Sequence, residues 1–432
     1  MKFCTLTLGC KVNQFETQAI ENALIARGHA SAEAGSGCDV CIVNTCAVTA
    51  ESARKSRQAV RRMKKFEPQA LVAVCGCLSQ LDPEAAAAIG ADLIGGSGDR
   101  LAFALEIERV WNSEFLTPNP YPPTPNPLRP TAAFEELPVG GSHGRVRALL
   151  KVQDGCDNFC AYCVIPYARG PIRSLPLDRA VAQARQLEAD GFREIVITGV
   201  EISSYEFQGM GLFDLLSAIS AAAPSARLRL GSLDPAFVTE RFVEDLSALQ
   251  NLCPHFHLSL QSGCDETLQR MGRKYGVRRV SEAIGLLRGA FPNCGITADL
   301  IVGFPGETAA EFAQTMEFIR ACAFSDMHIF PFSQRPGTRA ASMSGQIEKN
   351  IRLKRARAAA AVAAEMARAF KLSRIGTLVD VLFERERGGH WVGHSGNYLE
   401  VSAISGGAKN ALEPVLITGV SDGLVFGEIC DE

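Results

Sequence analysis

Residues 154–163 read Asp-Gly-Cys-Asp-Asn-Phe-Cys-Ala-Tyr-Cys, placing cysteines at 156, 160 and 163. The stretch follows the apolar run Ala148–Val152, so it reads as a loop leaving the C-terminal end of a β-strand. Sites in parallel α/β architectures form at that end. Three thiolates in a CxxxCxxC loop can close around one iron–sulfur cubane, one thiolate per iron. Such ligation leaves one iron of a four-iron cluster open to the amino and carboxylate groups of a small molecule. Structural zinc would ask for a fourth protein ligand, here a distant one. Three cysteines packed simply as small buried residues are the other alternative.

Five further strand candidates follow in the region 146–345: Glu194–Gly199, Arg227–Gly231, His255–Leu260, Ile296–Val302 and Met327–Phe332. Helical patterns such as Leu177–Ala189 and Val280–Gly289 separate them. Six βα units predict a partial parallel barrel, since a closed one has eight. Upstream, residues 113–145 are rich in proline, which fixes the backbone and removes donors, so an extended linker is expected.

Residues 1–112 show the same rhythm on a smaller scale. Apolar runs Phe3–Leu8, Asp39–Asn44 and Ala70–Val74 alternate with helical patterns, predicting a small parallel α/β sheet. Cys10, Cys46 and Cys77 each follow one of these runs. Parallel strands end on one edge, so three thiolates far apart in sequence can converge there. Taken singly, each would read as a small buried residue. Cys75 lies inside its run and Cys77 beyond a glycine, so Cys77 is the ligand candidate. Residues 346–371 read as a connecting helix. Alternating runs separated by turns in 372–432 predict a small antiparallel β-barrel.

The 432 residues suit two to four domains, and fifteen cysteines are many for such a chain. With no secretory signature, the expectation is a cytoplasmic protein whose thiols serve metal or catalysis rather than disulfides. No run is long enough to cross a membrane as a helix. A formal charge of −3 does not mark a general nucleic-acid binder, so any such contact must come from local patches. Two are present: Arg54, Arg57, Arg61 and Lys65 at helical spacing, and Lys349, Arg352, Lys354, Arg355 and Arg357. Each is equally readable as a solvated helix face.

The CxxxCxxC loop, with Tyr162 before its last cysteine, resembles the signature of the radical S-adenosylmethionine superfamily. The segments TLGCKVNQFET, VNTCAVTAES, CGCLSQ, DGCDNFCAYCVIPYARGPIRS, HFHLSLQSGCDETLQRM, DLIVGFPGET and FPFSQRPGTRAA, in that order, are similar to those of the methylthiotransferases. GCKVNQ and PYARGPIRS look most like the branch acting on N6-threonylcarbamoyladenosine at position 37 of tRNA. The resemblance implies two [4Fe-4S] clusters, on Cys156, Cys160 and Cys163 and on Cys10, Cys46 and Cys77. It implies S-adenosyl-L-methionine as cofactor, a TRAM-type C-terminal domain, an anticodon loop as partner, an external electron donor and a sulfur source. Tyr162, Gly199 and Gln261 are candidate cofactor contacts, and Arg169 and Arg173 candidate substrate contacts. Glu201 stands where the family commonly has histidine, so its role is open. Isopentenyladenosine in tRNA and a ribosomal-protein aspartate are alternative substrates. A non-catalytic iron–sulfur RNA-binding protein is the alternative of another class.

Overall fold

A computed structural model describes residues 1–114, 133–140, 144–403 and 407–430. Most of the proline-rich stretch, 115–132 and 141–143, lies outside the described residues.

The first unit is a five-stranded, all-parallel sheet. Lys2–Thr7, Val40–Thr45 and Leu71–Gly76 form its centre, and two-residue strands Ala30–Ser31 and Leu93–Ile94 form its edges. Every residue of the two strands Val40–Thr45 and Leu71–Gly76 is buried, because helices cover both faces. Ile20 and Leu24 of helix Lys11–Ala26 and Phe103 and Ile107 of helix Arg100–Glu114 pack on one face. Val60 and Met63 of helix Ala50–Phe66 pack on the other. Thr49 starts that last helix by accepting the Ser52 N–H.

Six parallel strands form the second unit: Arg147–Lys151, Glu194–Thr198, Arg227–Leu230, His255–Gln261, Gly295–Val302 and Asp326–Pro331. The third breaks at Gly231 and resumes as Ser232–Leu233, which pairs with the fourth. Among the described residues no pairing joins the first strand to the last, so the barrel stays open. Alternate wall residues, such as Ile195, Leu228, Leu258 and Leu300, form one core with the surrounding helices. The intervening positions carry Lys151, Glu194, Arg229, His255, His257 and Asp299, giving the wall a polar inner face.

The helix Lys349–Leu372 leads to a closed five-stranded barrel, in the order Leu378–Arg387, His390–Ser395, Glu400–Ala403, Leu424–Ile429, Leu412–Ser421. Four of its pairings are antiparallel, and Glu400–Ala403 pairs in parallel with Leu424–Ile429, unlike the all-antiparallel expectation. This unit caps the N-terminal mouth of the open barrel. Arg227 donates to the carbonyls of Asp380 and His394, and Arg229 to those of Ser395 and Gly396. Both arginines also bond Glu194. Tyr398 stacks on His255 with ring centroids 4.6 Å apart. The opposite mouth, where the strands end, remains for the cysteines.

Residues 133–140 form no regular element, but they do not hang free. Leu137 is buried with Phe15 and Ala19, and the Gly140 carbonyl accepts from Gln18 and Asn22. Gln183 of the barrel unit donates to the Leu137 carbonyl. This end of the expected spacer is a strap fastened to both units.

Candidate active site

The loop holding Cys156, Cys160 and Cys163 is shaped at its base by a short antiparallel pair, Gln153–Asp154 with Arg173–Ser174. Gly155 has φ +73°, and a Cβ there would lie 1.9 Å from the Pro171 carbonyl oxygen, so only glycine allows the turn. The loop is then pinned along its length. The Cys156 N–H bonds the Gly170 carbonyl, the Ala161 N–H the Met271 carbonyl, and the Ala340 N–H the Ala161 carbonyl. Arg273 donates to Cys160 Sγ at 3.2 Å and is itself held by Asp234 at 2.9 Å and the Tyr275 hydroxyl at 2.9 Å. The Ile165 N–H approaches Cys163 Sγ at 3.4 Å. Burial pushes the Cys156 thiol up and the Cys163 thiol up to about 12.

Cys10, Cys46 and Cys77 follow three adjacent parallel strands. The register places Thr7 opposite Asn44 and Thr45 opposite Gly76, so the strand ends are level. Two tight glycines let the chain leave them. Gly9 has φ +103°, and a Cβ on it would meet Cys46 Sγ at 3.0 Å; Gly76 has φ +103°, and a Cβ would meet Asn44 Oδ1 and the Thr45 carbonyl at 2.4 Å. Cys46 and Cys77 are buried and Cys10 exposed. Desolvation raises the Cys46 thiol and pushes Cys77 up to about 12, and the three sulfurs are near enough to repel one another as thiolates.

A buried charge network fastens the two cysteine sets together. Glu16, wholly buried, bonds Arg100, Lys151 and Arg169. Arg169 also reaches Asp154 Oδ1 at 3.1 Å and Asn13 Oδ1 at 2.7 Å, and Lys151 bonds Asp154 at 2.8 Å. Burial alone would raise the Glu16 carboxyl, yet the three cations outweigh it and hold it well below the usual range. Asp154 is likewise held down to about 2: burial opposes, and Lys151 and Arg169 prevail. Asn13 stands three residues after Cys10 and Asp154 two before Cys156, so this network spans the seam between the units. The short helix Ile165–Arg169 lies in the same seam, with Ala168 packed among Ala47, Cys77 and Leu78.

The remaining candidates fall into different surroundings. Tyr162 sits beside Cys160, and burial raises its hydroxyl well above the usual value. Gly199 makes room for Gln153: a Cβ there would lie 2.9 Å from both Cβ and Oε1 of that residue. Its small size therefore already has a reason inside the protein. Gln261 ends its strand in a left-handed conformation, φ +68°. Arg169 and Arg173 are buried, and both guanidinium groups are paired with Asp154, Arg169 also with Glu16. Neither is left for a substrate, so the expectation of substrate contact gives way to support of the loop. The second basic patch is also reduced. Arg355 pairs with buried Glu307, and Arg352 donates to the Phe332 carbonyl.

Two features, Arg273 and a His–Asp–His group, were not legible as site features, and the role of Glu201 was open. Arg273 is a lone arginine with no diagnostic spacing. Glu201 is buried beside Cys156; burial, then repulsion from Asp234, raises its carboxyl to about 7. His257, Asp299 and His328, on three neighbouring strands, bring their ligand atoms within 4.8 Å of one another. Among the described residues no other three such atoms lie that close. Two sulfurs on one zinc ion at about 2.3 Å each lie within roughly 4.6 Å. In neither cysteine set do all three sulfurs lie that close to one another.

A family model described as the radical SAM superfamily matches residues 150–319, and one described as uncharacterized protein family UPF0004 matches residues 2–96. The chain is 34% identical over 404 residues to the threonylcarbamoyladenosine tRNA methylthiotransferase MtaB of Bacillus subtilis, covering 91% of this chain and 88% of that protein. It is 32% identical over 387 residues to a tRNA-2-methylthio-N(6)-dimethylallyladenosine synthase of Cereibacter sphaeroides, covering 88% and 86%. A solved structure of the radical S-adenosylmethionine methyltransferase TsrM from Kitasatospora setae superposes with a TM-score of 0.58 at 15% identity, over 79% of this chain and 75% of that one. At that identity the likeness is one of fold. The two matched segments hold the two cysteine sets, and the full-length relatives join them in one protein: the chain belongs to the radical S-adenosylmethionine methylthiotransferase family.

Proposed function

We propose that this protein converts N6-threonylcarbamoyladenosine at position 37 of tRNA to its 2-methylthio derivative. The observation that carries the reading is that the helix Ile165–Arg169 bonds Cys163 at its start and packs Ala168 in one cluster with Cys77, on a chain 34% identical to a threonylcarbamoyladenosine tRNA methylthiotransferase. Family membership implies S-adenosylmethionine and a [4Fe-4S] cluster, and Cys156, Cys160 and Cys163 would hold that cluster. When bound, that cluster would supply the single electron needed for reductive cleavage of S-adenosylmethionine. Cys10, Cys46 and Cys77 would hold a second cluster carrying the sulfur to be methylated and transferred.

The rest is done by side chains. Arg273 donates to Cys160 Sγ and fixes that side chain in the loop. Burial raises the Cys163 and Cys77 thiols to about 12, so cluster assembly must release protons from them. Glu201 lies buried beside Cys156, and Asp234 near it is paired with Arg273; these two carboxyl groups would face a cationic cofactor held by the central cysteines. The Glu16 network holds the two cysteine sets at a fixed separation, so the reacting base has one place to be. One S-adenosylmethionine would methylate the sulfur and a second would give the radical that activates C2 of the adenine; an external electron donor and a sulfur source complete the requirements.

Nucleoside mass spectrometry of tRNA from a strain lacking the gene tests the substrate. The expected result is loss of 2-methylthio-N6-threonylcarbamoyladenosine with accumulation of its precursor. Loss of the methylthio group from dimethylallyladenosine instead would move the protein to the other branch.

A further inference from the structure

Two aromatic side chains at the seam are left out by everything above. Phe159, inside the cysteine loop, is 53% exposed, and Tyr167 is 54% exposed. Their rings meet edge to face, centroids 5.9 Å apart at 77°. Phe159 has φ +46°, a conformation that disfavours a bulky residue. Neither packing nor backbone preference explains phenylalanine there. Tyr167 is mounted on the helix Ile165–Arg169. The start of that helix touches Cys163 Sγ, and Ala168 packs against Cys77. Tyr167 thus stands on an element that reaches both cysteine sets, and Phe159 on the cysteine loop beside it.

A second element crosses the same gap. Residues 333–340 are tied at one end to the Cys46 side, where Ser333 Oγ accepts the Ala50 N–H at 2.7 Å. The other end is tied to the cysteine loop through the Ala340 N–H and the Ala161 carbonyl. This segment presents Arg335 beside Arg57 and Cys46, with a buried Nε that has no hydrogen-bond partner.

Resting on the proposed function, we propose that Phe159 and Tyr167 form a stacking ledge for the nucleobase adjoining the reacting adenosine, while Arg57 and Arg335 receive its phosphates. An adenine drawn between the two cysteine sets must leave its stack, which deprives the neighbouring base of a partner. An exposed aromatic ring replaces that partner whatever the base, and flanking guanidinium groups follow the backbone. A peptide substrate would instead ask for an enclosed apolar pocket, and two half-exposed rings do not make one.

The test uses the reconstituted full-length enzyme and an anticodon stem-loop RNA carrying threonylcarbamoyladenosine, with 2-aminopurine as the adjoining nucleotide. Wild type should quench the 2-aminopurine on binding. Phe159→Leu and Tyr167→Leu should quench less and raise KM for the RNA about five- to tenfold, the low end expected for one stacked base. Their kcat at saturating RNA should stay near wild type, and Phe159→Tyr should restore both readouts. Iron content is measured alongside; should Phe159→Leu lose iron, Tyr167→Leu carries the test. Leucine variants with full iron that quench and bind like wild type overturn the ledge. A wild type that quenches yet makes no methylthio product sinks the proposed reaction while the ledge stands.

Discussion

The two cysteine sets reach similar arrangements by opposite routes. The central set is local: three residues within eight positions, on a loop pinned by backbone hydrogen bonds to Met271, Gly170 and Ala340. The N-terminal set is global: three residues spread over 68 positions, level only because parallel register aligns three strand ends. A local site depends on its own loop. A global site depends on the whole sheet, and so on the core beneath it.

The sharpest way to break this comparison is to remove one cysteine from each set. Cys160→Ala should abolish 5′-deoxyadenosine release, because cleavage needs the central set. Cys46→Ala should retain release while the methylthiolated product falls below detection. Chromatography of both products from one reaction decides it, and equal loss of both in Cys46→Ala would mean that the sets are not separable.

Next in size is the network that joins them. Glu16→Ala leaves Arg100, Lys151 and Arg169 buried without their shared carboxylate. Stripping one partner from a buried ion pair typically costs about 3–5 kcal/mol. Denaturant unfolding should show a destabilisation of that order, and a variant as stable as wild type would mean the cations find other partners. The glycines sharpen the contrast further. Gly76→Ala drives a Cβ into the Thr45 backbone and should displace Cys77, lowering iron while leaving 5′-deoxyadenosine release. Gly155→Ala, which clashes with the Pro171 carbonyl, should do the reverse and stop release.

The smallest effect lies away from both sets and serves as a control. Burial would raise the Glu194 carboxyl, but Arg229 and Arg227 outweigh it and hold it below the usual 4.5. A depressed carboxyl contributes stability that is complete above about pH 4.5 and is lost as pH falls. Glu194→Gln should therefore flatten the acid limb of the stability curve below about pH 5, measured by denaturant titration at several pH values. An unchanged slope would assign acid sensitivity elsewhere.

Much of this was legible because strand periodicity is strong where strands are buried on both sides. The three N-terminal runs and the six barrel runs lie within a residue or two of the observed strands, and the strand ends carry the cysteines. What escaped has physical reasons. His390–Ser395 contains histidines, glycine and serine instead of an apolar run, though Gly388 and Gly389 before it mark the turn. The parallel pairing of Glu400–Ala403 with Leu424–Ile429 is a matter of closure, which alternation does not encode. Arg169 and Arg173 look available in a linear motif, and only the fold brings Asp154 and Glu16 against them. Arg273 has no spacing to announce it, since its meaning comes from Cys160 more than a hundred positions away.

Counting iron tests the central claim most directly. Anaerobically reconstituted wild type should bind about eight iron and eight sulfide per chain, as two four-iron clusters require. Replacing Cys156, Cys160 and Cys163 together by alanine should leave about four of each, and so should replacing Cys10, Cys46 and Cys77. If wild type holds only about four, or if removing the N-terminal set costs no iron, two clusters meeting across one seam cannot be right.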